Sequence, residues 1–234
     1  MEKLAVIIPV YNEEKILQTV LNEWVEELNK LEIEYNIFAY NDGSNDKSLS
    51  ILEKTTQNNS NITVINKENS GHGPTILKGY KENSLGFDWI FQVDSDNEMS
   101  AKDFKNLWEK RAEYDFLCVI RKNRSQSFVR HIISLFSRFC IRLFYGKSPF
   151  DANSPYRLMR TEKFVDLFNL LPSDTICPNL IISGYIAKKK LKFYEYYIKC
   201  AGRQTGEISL KNIKLLKTVI ISFLQTIFFS FIVK

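Results

Sequence analysis

The chain has 234 residues, 44% of them hydrophobic and 25% charged, with 32 basic against 27 acidic side chains and a formal net charge of +5. That length can bury a sizeable core in one large domain, and so mild a charge excludes a dedicated nucleic-acid binder. The four cysteines, Cys118, Cys140, Cys177 and Cys200, stand too far apart for a paired zinc or disulfide framework, so reduced thiols in a cytosolic protein are expected.

The first apolar run, "LAVIIPV", is too short for the hydrophobic region of a signal peptide and predicts a strand, with the N-terminus staying in the cytoplasm. In "EEKILQTVLNEWVEELNKL", residues Ile16, Leu17, Val20, Leu21, Trp24 and Leu28 share one helical face, and Asn12 is the expected N-cap. Further strands are expected at "YNIFAY", "ITVIN", "DWIFQV" and "DFLCVI", with amphipathic stretches between them. This alternation predicts an α/β fold around a mostly parallel sheet flanked by helices. In such sheets the loops at the carboxyl ends of the strands line the ligand crevice. Here those loops are "YNEE", "NDGSND", "NSGHGP" and "DSDNE", so the unusual polar clusters should share one edge. Ser44 and Asp46 are expected to cap the helix that follows the second loop.

In "FQVDSDNEMS" apolar residues run straight into Asp94, Asp96 and Glu98, three carboxylates on alternating positions. Like charges this close raise one another's pKa unless a cation lies between them, which points to a divalent metal. No cluster of histidine and carboxylate surrounds His72 or His131, so both are expected to be ordinary polar residues.

Beyond residue 120 the chain turns basic. "RKNRSQSFVRHIISLFSRFCIRLFYGK" predicts a loop followed by an amphipathic helix, with Phe128, Ile132, Leu135, Phe136, Phe139 and Leu143 on one side. Arg130, Ser134, Ser137, Arg138 and Arg142 lie opposite; Arg138 and Arg142 fit either a solvated face or contact with lipid headgroups. "DANSPYRLMR" comes next, then a helix, a turn at "LPSDTICPN", another helix and the strand-like "LKFYEYYIK". The tail "IKLLKTVIISFLQTIFFSFIVK" is nearly unbroken apolar sequence, with Lys211, Lys214 and Lys217 at its front and Lys234 at its end. Its stretch from Thr218 to Val233 falls a little short of the ~20 apolar residues that cross a bilayer. Ile213, Leu216, Ile220, Phe223, Leu224, Ile227 and Phe231 share one side, opposite Lys214, Thr218, Ser222, Gln225 and Thr226, as in a helix lying on a membrane surface. A core helix and a tilted anchor are the alternatives.

"VIIPVYNEE", "NDGSND" and "VDSD", in that order and each after a strand, resemble the family-2 glycosyltransferases of the GT-A fold, over nearly the whole chain. The closer likeness is to the polyprenyl-phosphate hexose synthases, the dolichol-phosphate mannose synthase-like branch. The resemblance implies an inverting transfer of a hexose from a nucleotide diphosphate sugar to polyprenyl phosphate at the cytoplasmic membrane face, with Mg2+ or Mn2+ as cofactor. It places Pro9, Tyr11, Glu13 and Asp42 in the nucleotide-sugar site, Asp94 at ribose and metal, and Asp96 on the metal. Glu98 stands where many relatives have a glutamine that also reaches the metal. Gly71 and Gly73 belong to the Gly-rich loop, where His72 replaces a common lysine, and Asn41 replaces the first aspartate of "DDGS". On the acceptor side the resemblance assigns Arg130, Ser134, Arg203 and either Arg121 or Arg124 to the phosphate, and gives Asp151 positioning or base duty. The implied division is a transferase domain over 1–210, with a nucleotide half over 1–120 and an acceptor half over 121–210, followed by a membrane-associated helix over 211–234. The implied partners are a nucleotide diphosphate sugar, a polyprenyl phosphate and a membrane surface, with no nucleic acid; a homo-oligomer or a membrane partner protein stays open. A different glycan, protein or lipid acceptor, or an inert membrane scaffold on the same fold, remain alternatives; the absent "QxxRW" segment argues against polymerisation.

Overall fold

The computed structural model describes residues 2–57, 59–122, 128–199 and 213–233, the side chains of 128–132 and 213–216 lying outside that set. Seven strands form one sheet: β1 (Lys3–Val10), β2 (Glu34–Asp42), β3 (Ile62–Lys67), β4 (Trp89–Gln92), β5 (Phe116–Lys122), β6 (Arg157–Arg160) and β7 (Phe193–Lys199). Eight helices accompany them among the described residues: α1 (Leu17–Lys30), α2 (Ser48–Gln57), α3 (His72–Glu82), α4 (Phe104–Trp108), α5 (Phe128–Phe144), α6 (Val165–Leu170), α7 (Pro178–Lys188) and α8 (Ile213–Ile232). The order across the sheet is β3-β2-β1-β4-β6-β5-β7. β1 pairs parallel with both β2 and β4, β2 with β3, and β5 with β7.

An unbroken apolar run such as β1 belongs in a strand covered on both faces. Leu4, Val6, Ile8 and Val10 point into one core with Trp24 of α1, while Ala5 and Ile7 point into the other with Ile76 and Tyr80 of α3. On the first face Trp24 packs against Phe91, Phe104 and Tyr156 at centroid distances of 5.2, 5.9 and 5.8 Å. On the second face lie α3, α6 and α7, joined by Phe229 and Val233 at the end of the chain.

Two expectations need correction. β6 was not foreseen within "DANSPYRLMR": it pairs antiparallel to β4 and to β5. At four residues and beginning with an arginine it carries no alternation to read, and only its neighbours make it a strand. Asn12 is not the N-cap of α1, which begins at Leu17 after Ile16 and has no side-chain cap. Asn12 has a φ of 54°, in the left-handed region that asparagine tolerates, and spends its side chain on another loop.

α5 and α8 carry the expected stripes, the apolar side of each facing outward and the polar side of α8 packed on the protein. Ser137, Cys140 and Ile141 of α5 are buried, while Leu135, Phe136, Phe139 and Leu143 face outward. In α8, Ser222, Thr226 and Ser230 are buried, and Ile220, Leu224, Phe228 and Phe231 face outward. The polar stripe of α8 docks through hydrogen bonds: Tyr145 donates its hydroxyl to the Thr226 carbonyl at 2.5 Å and Lys188 Nζ donates to the Ser230 carbonyl at 2.5 Å. Phe136 meets Phe223 edge-on at 4.7 Å, joining the two helices into one apolar surface. No helix among the described residues is long and apolar enough to cross a membrane.

Candidate functional site

Because β1 to β4 run parallel, their carboxyl ends bring the four loops to one edge, and the loops are tied to each other in sequence. The Asn12 N–H donates to Ser44 Oγ at 3.0 Å, the Asn45 N–H to Asn12 Oδ1 at 2.8 Å, the Glu13 N–H to Ser48 Oγ at 2.9 Å and the Glu14 N–H to Asp46 Oδ2 at 3.0 Å. Asp46 Oδ1 also accepts the Ser48 N–H at the start of α2, as expected of a cap, whereas Ser44 holds the first loop instead. Pro9 occupies β1 beyond the last residue paired with β4, where its missing N–H leaves no gap in that ladder. Tyr11 is exposed and Glu13 is buried.

Asp42 ties the second loop to the third. Its Oδ1 accepts from the Ser70 N–H at 2.8 Å and from Lys67 Nζ, and its Oδ2 accepts from the Gly71 N–H at 2.9 Å. Burial disfavours the charged carboxylate, but Lys67 and the Ser70 amide outweigh it and hold Asp42 below its ordinary pKa. Lys67 also donates to Ser70 Oγ at 2.7 Å and to Thr75 Oγ1 at 3.2 Å, locking the start of α3. Gly71, with φ at 93°, sits where a side chain would be strained, and a Cβ on Gly73 would come within 1.8 Å of the Ile176 carbonyl oxygen. Both glycines are therefore required by geometry.

The third loop reaches the fourth through His72, whose Nε2 lies 2.9 Å from Asp94 Oδ1. The ring is half exposed; its partial loss of water disfavours the charged form, yet Asp94, Asp96 and Asp42 together carry the imidazole above its ordinary pKa. His72 is thus a carboxylate partner at the heart of the edge and not a bystander. Asp94 Oδ1 also accepts from Gln92 Nε2 at 3.0 Å. Asp96 Oδ1 accepts the Glu98 N–H at 3.1 Å across a turn in which Asn97 has a φ of 54°.

The donor set suits a hard divalent cation. Among the described residues no three histidine, cysteine or acidic side chains converge into a cage. Mg2+ and Mn2+ sites for phosphates do not need one, since one or two carboxylates share the ion with the phosphate oxygens. Asp94 and Asp96, both felt by His72, fit that role, and Glu98, nearly buried, lies close enough to Arg121 to stabilise its charge.

Beyond the carboxylate edge, Arg121 and Asp151 are partners. Arg121 Nε donates to Asp151 Oδ2 at 2.7 Å and Nη2 to Oδ1 at 3.0 Å, with the guanidinium side chain 6% exposed. Burial works against the charge, but Asp151, then Glu98 and Asp94, hold the arginine protonated. Ser134 lies on α5 a turn after Arg130. Arg124 and Arg203 lie outside the described residues, as do the side chains of Arg130 and His131. Arg138 stacks over Phe150 at 4.1 Å.

Several residues at the edge escaped the sequence reading. Gln92, fully buried, accepts at Oε1 from Tyr80 and from Asn179 Nδ2 at 2.9 Å. Arg157, also fully buried, donates to the carbonyls of Ala152, Ser154 and Asn179 and so fixes the loop behind Asp151. A glutamine inside "WIFQV" was the available signal, because a polar side chain in a buried strand must find partners.

A polar edge of four interlocked loops on a mixed, mostly parallel sheet defines a protein of the GT-A fold class. S. aureus TarS in complex with UDP-GlcNAc matches with a TM-score of 0.63 at 20% identity over 96% of this chain and 66% of that one. Glucosyl-3-phosphoglycerate synthase from Mycobacterium tuberculosis, in complex with Mn2+, UDP and phosphoglyceric acid, matches with a TM-score of 0.69 at 13% identity over 98% and 78%. The chain belongs to glycosyl transferase family 2, whose model matches residues 5–169. Among curated relatives, the undecaprenyl-phosphate 4-deoxy-4-formamido-L-arabinose transferase of Proteus mirabilis (strain HI4320) is 27% identical over 219 residues, 92% of this chain. The enzyme of the same name from Photorhabdus laumondii is 28% identical over 220 residues, again 92% of this chain. The chain spans about 65% of the length of these relatives.

Proposed function

We propose that this chain moves a glycosyl group, a hexose in the first instance, from a nucleotide diphosphate sugar to polyprenyl phosphate at the cytoplasmic face of a membrane. The observation that carries this is the pairing of a carboxylate edge suited to a cation-bridged diphosphate with an outward apolar surface on α5 and α8 suited to a lipid. The relatives named for undecaprenyl phosphate support the same acceptor class.

Asp94 and Asp96 would hold Mg2+ or Mn2+, which neutralises the leaving diphosphate when bound. Pro9, Tyr11 and Glu13 border the place of the base and ribose, while Asp42 acts chiefly by pinning Ser70 and Gly71 so that the start of α3 faces the diphosphate. An oxygen of the acceptor phosphate attacks the anomeric carbon, the bond from that carbon to the diphosphate oxygen breaks, and configuration inverts. A phosphate is already ionised and needs charge neutralisation and aim, not a strong base. Arg130, Ser134, Arg203 and Arg124 supply the clamp. Arg121, with Nε and Nη2 committed to Asp151, orients that carboxylate and adds positive charge beside the acceptor phosphate. Leu135, Phe136, Phe139 and Leu143, with the outward residues of α8, rest among the acyl chains, and the basic residues meet anionic headgroups.

The test is to incubate purified protein with Mn2+, polyprenyl phosphate and a panel of labelled nucleotide hexoses and pentoses. Label entering the organic phase is expected; hydrolysis alone, or label passing only to a water-soluble acceptor, rejects the lipid.

A further inference from the structure

Segment 175–179 touches both the outward-facing helix α8 and the carboxylate edge. On one side α8 holds it. Gln225 Oε1 accepts the Ile176 N–H at 2.9 Å and Ser222 Oγ donates to Cys177 Sγ at 3.1 Å. On the other side it is seated on the supports of Asp94. The Ile176 and Thr175 carbonyls press on Gly73, where a Cβ would meet them at 1.8 and 2.8 Å. Gly73 adjoins His72, which contacts Asp94 Oδ1. Asn179 Nδ2 donates to Gln92 Oε1 at 2.9 Å, and Gln92 in turn donates to the same Asp94 oxygen at 3.0 Å. These two contacts on Asp94 Oδ1, from His72 and from Gln92, trace back to one short segment, and that segment is tied to α8 by Gln225.

A glutamine in a helix of isoleucine, leucine and phenylalanine is costly unless its amide is satisfied, and an irregular segment has backbone N–H groups that no ladder satisfies. The Gln225 bond satisfies the glutamine's carbonyl oxygen and the Ile176 N–H together. We propose that Gln225 is a positioning residue for the donor site, transmitting the placement of α8 to Asp94 through segment 175–179; this rests on the assignment of Asp94 to donor binding. Because the opposite face of α8 carries the exposed apolar stripe, the helix that meets lipid is the helix that sets the donor carboxylate.

The experiment compares Gln225→Leu, which removes the acceptor at nearly constant volume, with Gln225→Glu, which keeps an oxygen for the Ile176 N–H. UDP binding is measured by calorimetry with Mn2+ present, and amide exchange is followed at Thr75 and Ile76. Gln225→Leu is expected to weaken UDP binding about threefold to tenfold, the range of one buried hydrogen bond, and to speed exchange at both amides. Gln225→Glu is expected to stay within about twofold of the parent on the same scale. A leucine variant that melts lower yet binds UDP as tightly as the parent has only a structural role and overturns the proposal, as does equal loss in both variants. A parent protein that binds neither UDP nor any other nucleoside diphosphate instead overturns the donor assignment itself, and needs no variant to reveal it.

Discussion

Arg121 of β5 and Asp151 of the loop before β6 form a two-pronged ion pair, at 2.7 and 3.0 Å. Removing one partner strands a buried charge, which costs about 3–5 kcal/mol, whereas removing both leaves no charge to strand. We predict that Asp151→Asn and Arg121→Gln each lower stability toward urea. The double variant should fall short of the sum of the singles by at least about 1 kcal/mol. Additive losses would show that the two residues do not act as a unit.

Asp96→Asn tests the metal role cleanly, because the asparagine Oδ1 can still accept the Glu98 N–H that Asp96 accepts at 3.1 Å. The turn should survive and the melting temperature should move little. Transfer should fall by about a hundredfold or more, with Mn2+ no longer promoting UDP binding. Unchanged turnover would remove Asp96 from the metal site.

Gly73→Ala and Gly86→Ala make a matched pair. A Cβ at Gly73 collides with the Ile176 carbonyl at 1.8 Å, while nothing lies within 4 Å of one at Gly86. Overpacking against backbone costs about 1–3 kcal/mol, so Gly73→Ala is predicted to destabilise by that amount and to weaken nucleotide binding. Gly86→Ala should fall within about 0.5 kcal/mol of the parent. Denaturant midpoints of the two variants decide it; similar values would contradict the close contact.

Phe139 of α5 and Phe228 of α8 are 61% and 60% exposed. Replacing both with aspartate removes little buried surface, so thermal stability is expected to change slightly. Binding to vesicles of anionic lipid should be largely lost, and in the parent it should loosen with rising salt, since screening acts beyond ~10 Å at 0.1 M. Vesicle sedimentation gives the answer, and a double variant that still pellets with lipid would move the membrane contact elsewhere.

Asp42 supplies a pH dependence with a definite sign. Its pKa in the folded chain lies below the ordinary value of 3.8. Its charged form therefore contributes stability that is full above 3.8 and is lost as pH falls through that value toward the lower folded one. The parent should lose stability on acidification below about pH 5 more steeply than Asp42→Asn, which has no proton to take up there. Parallel acid limbs in urea titrations would argue that Lys67 and the loop amides do not hold the charge.

Much of the first half of the chain was legible because its signals are local. "LAVIIPV" had to be a strand covered on both faces, and parallel strands put "YNEE", "NDGSND", "NSGHGP" and "DSDNE" on one edge whatever the packing. The stripes of α5 and α8 were equally legible: the wheel separated Leu135, Phe136 and Phe139 from Ser137, and Ile220, Leu224 and Phe231 from Ser222 and Thr226.

Which stripe faces inward was decided by the tertiary structure alone. A helical wheel has no knowledge of neighbours, and here Tyr145, Lys188 and the Ile176 amide meet the polar side of α8 and turn its phenylalanines out. The same holds for the pairing of Arg121 with Asp151, thirty positions apart, and for Gln92, whose partners Tyr80 and Asn179 come from two different helices. β6 also exists only because β4 and β5 lie on either side to receive its hydrogen bonds. Sequence by itself determined the strands other than β6, the loops that share an edge and the chemistry gathered there, since these follow from periodicity and charge within a few residues. The partners of buried polar groups, and with them the orientation of the site's carboxylates and the outward apolar surface, were decided by long-range contacts, because such a group takes whichever donor or acceptor the fold brings within about 3 Å.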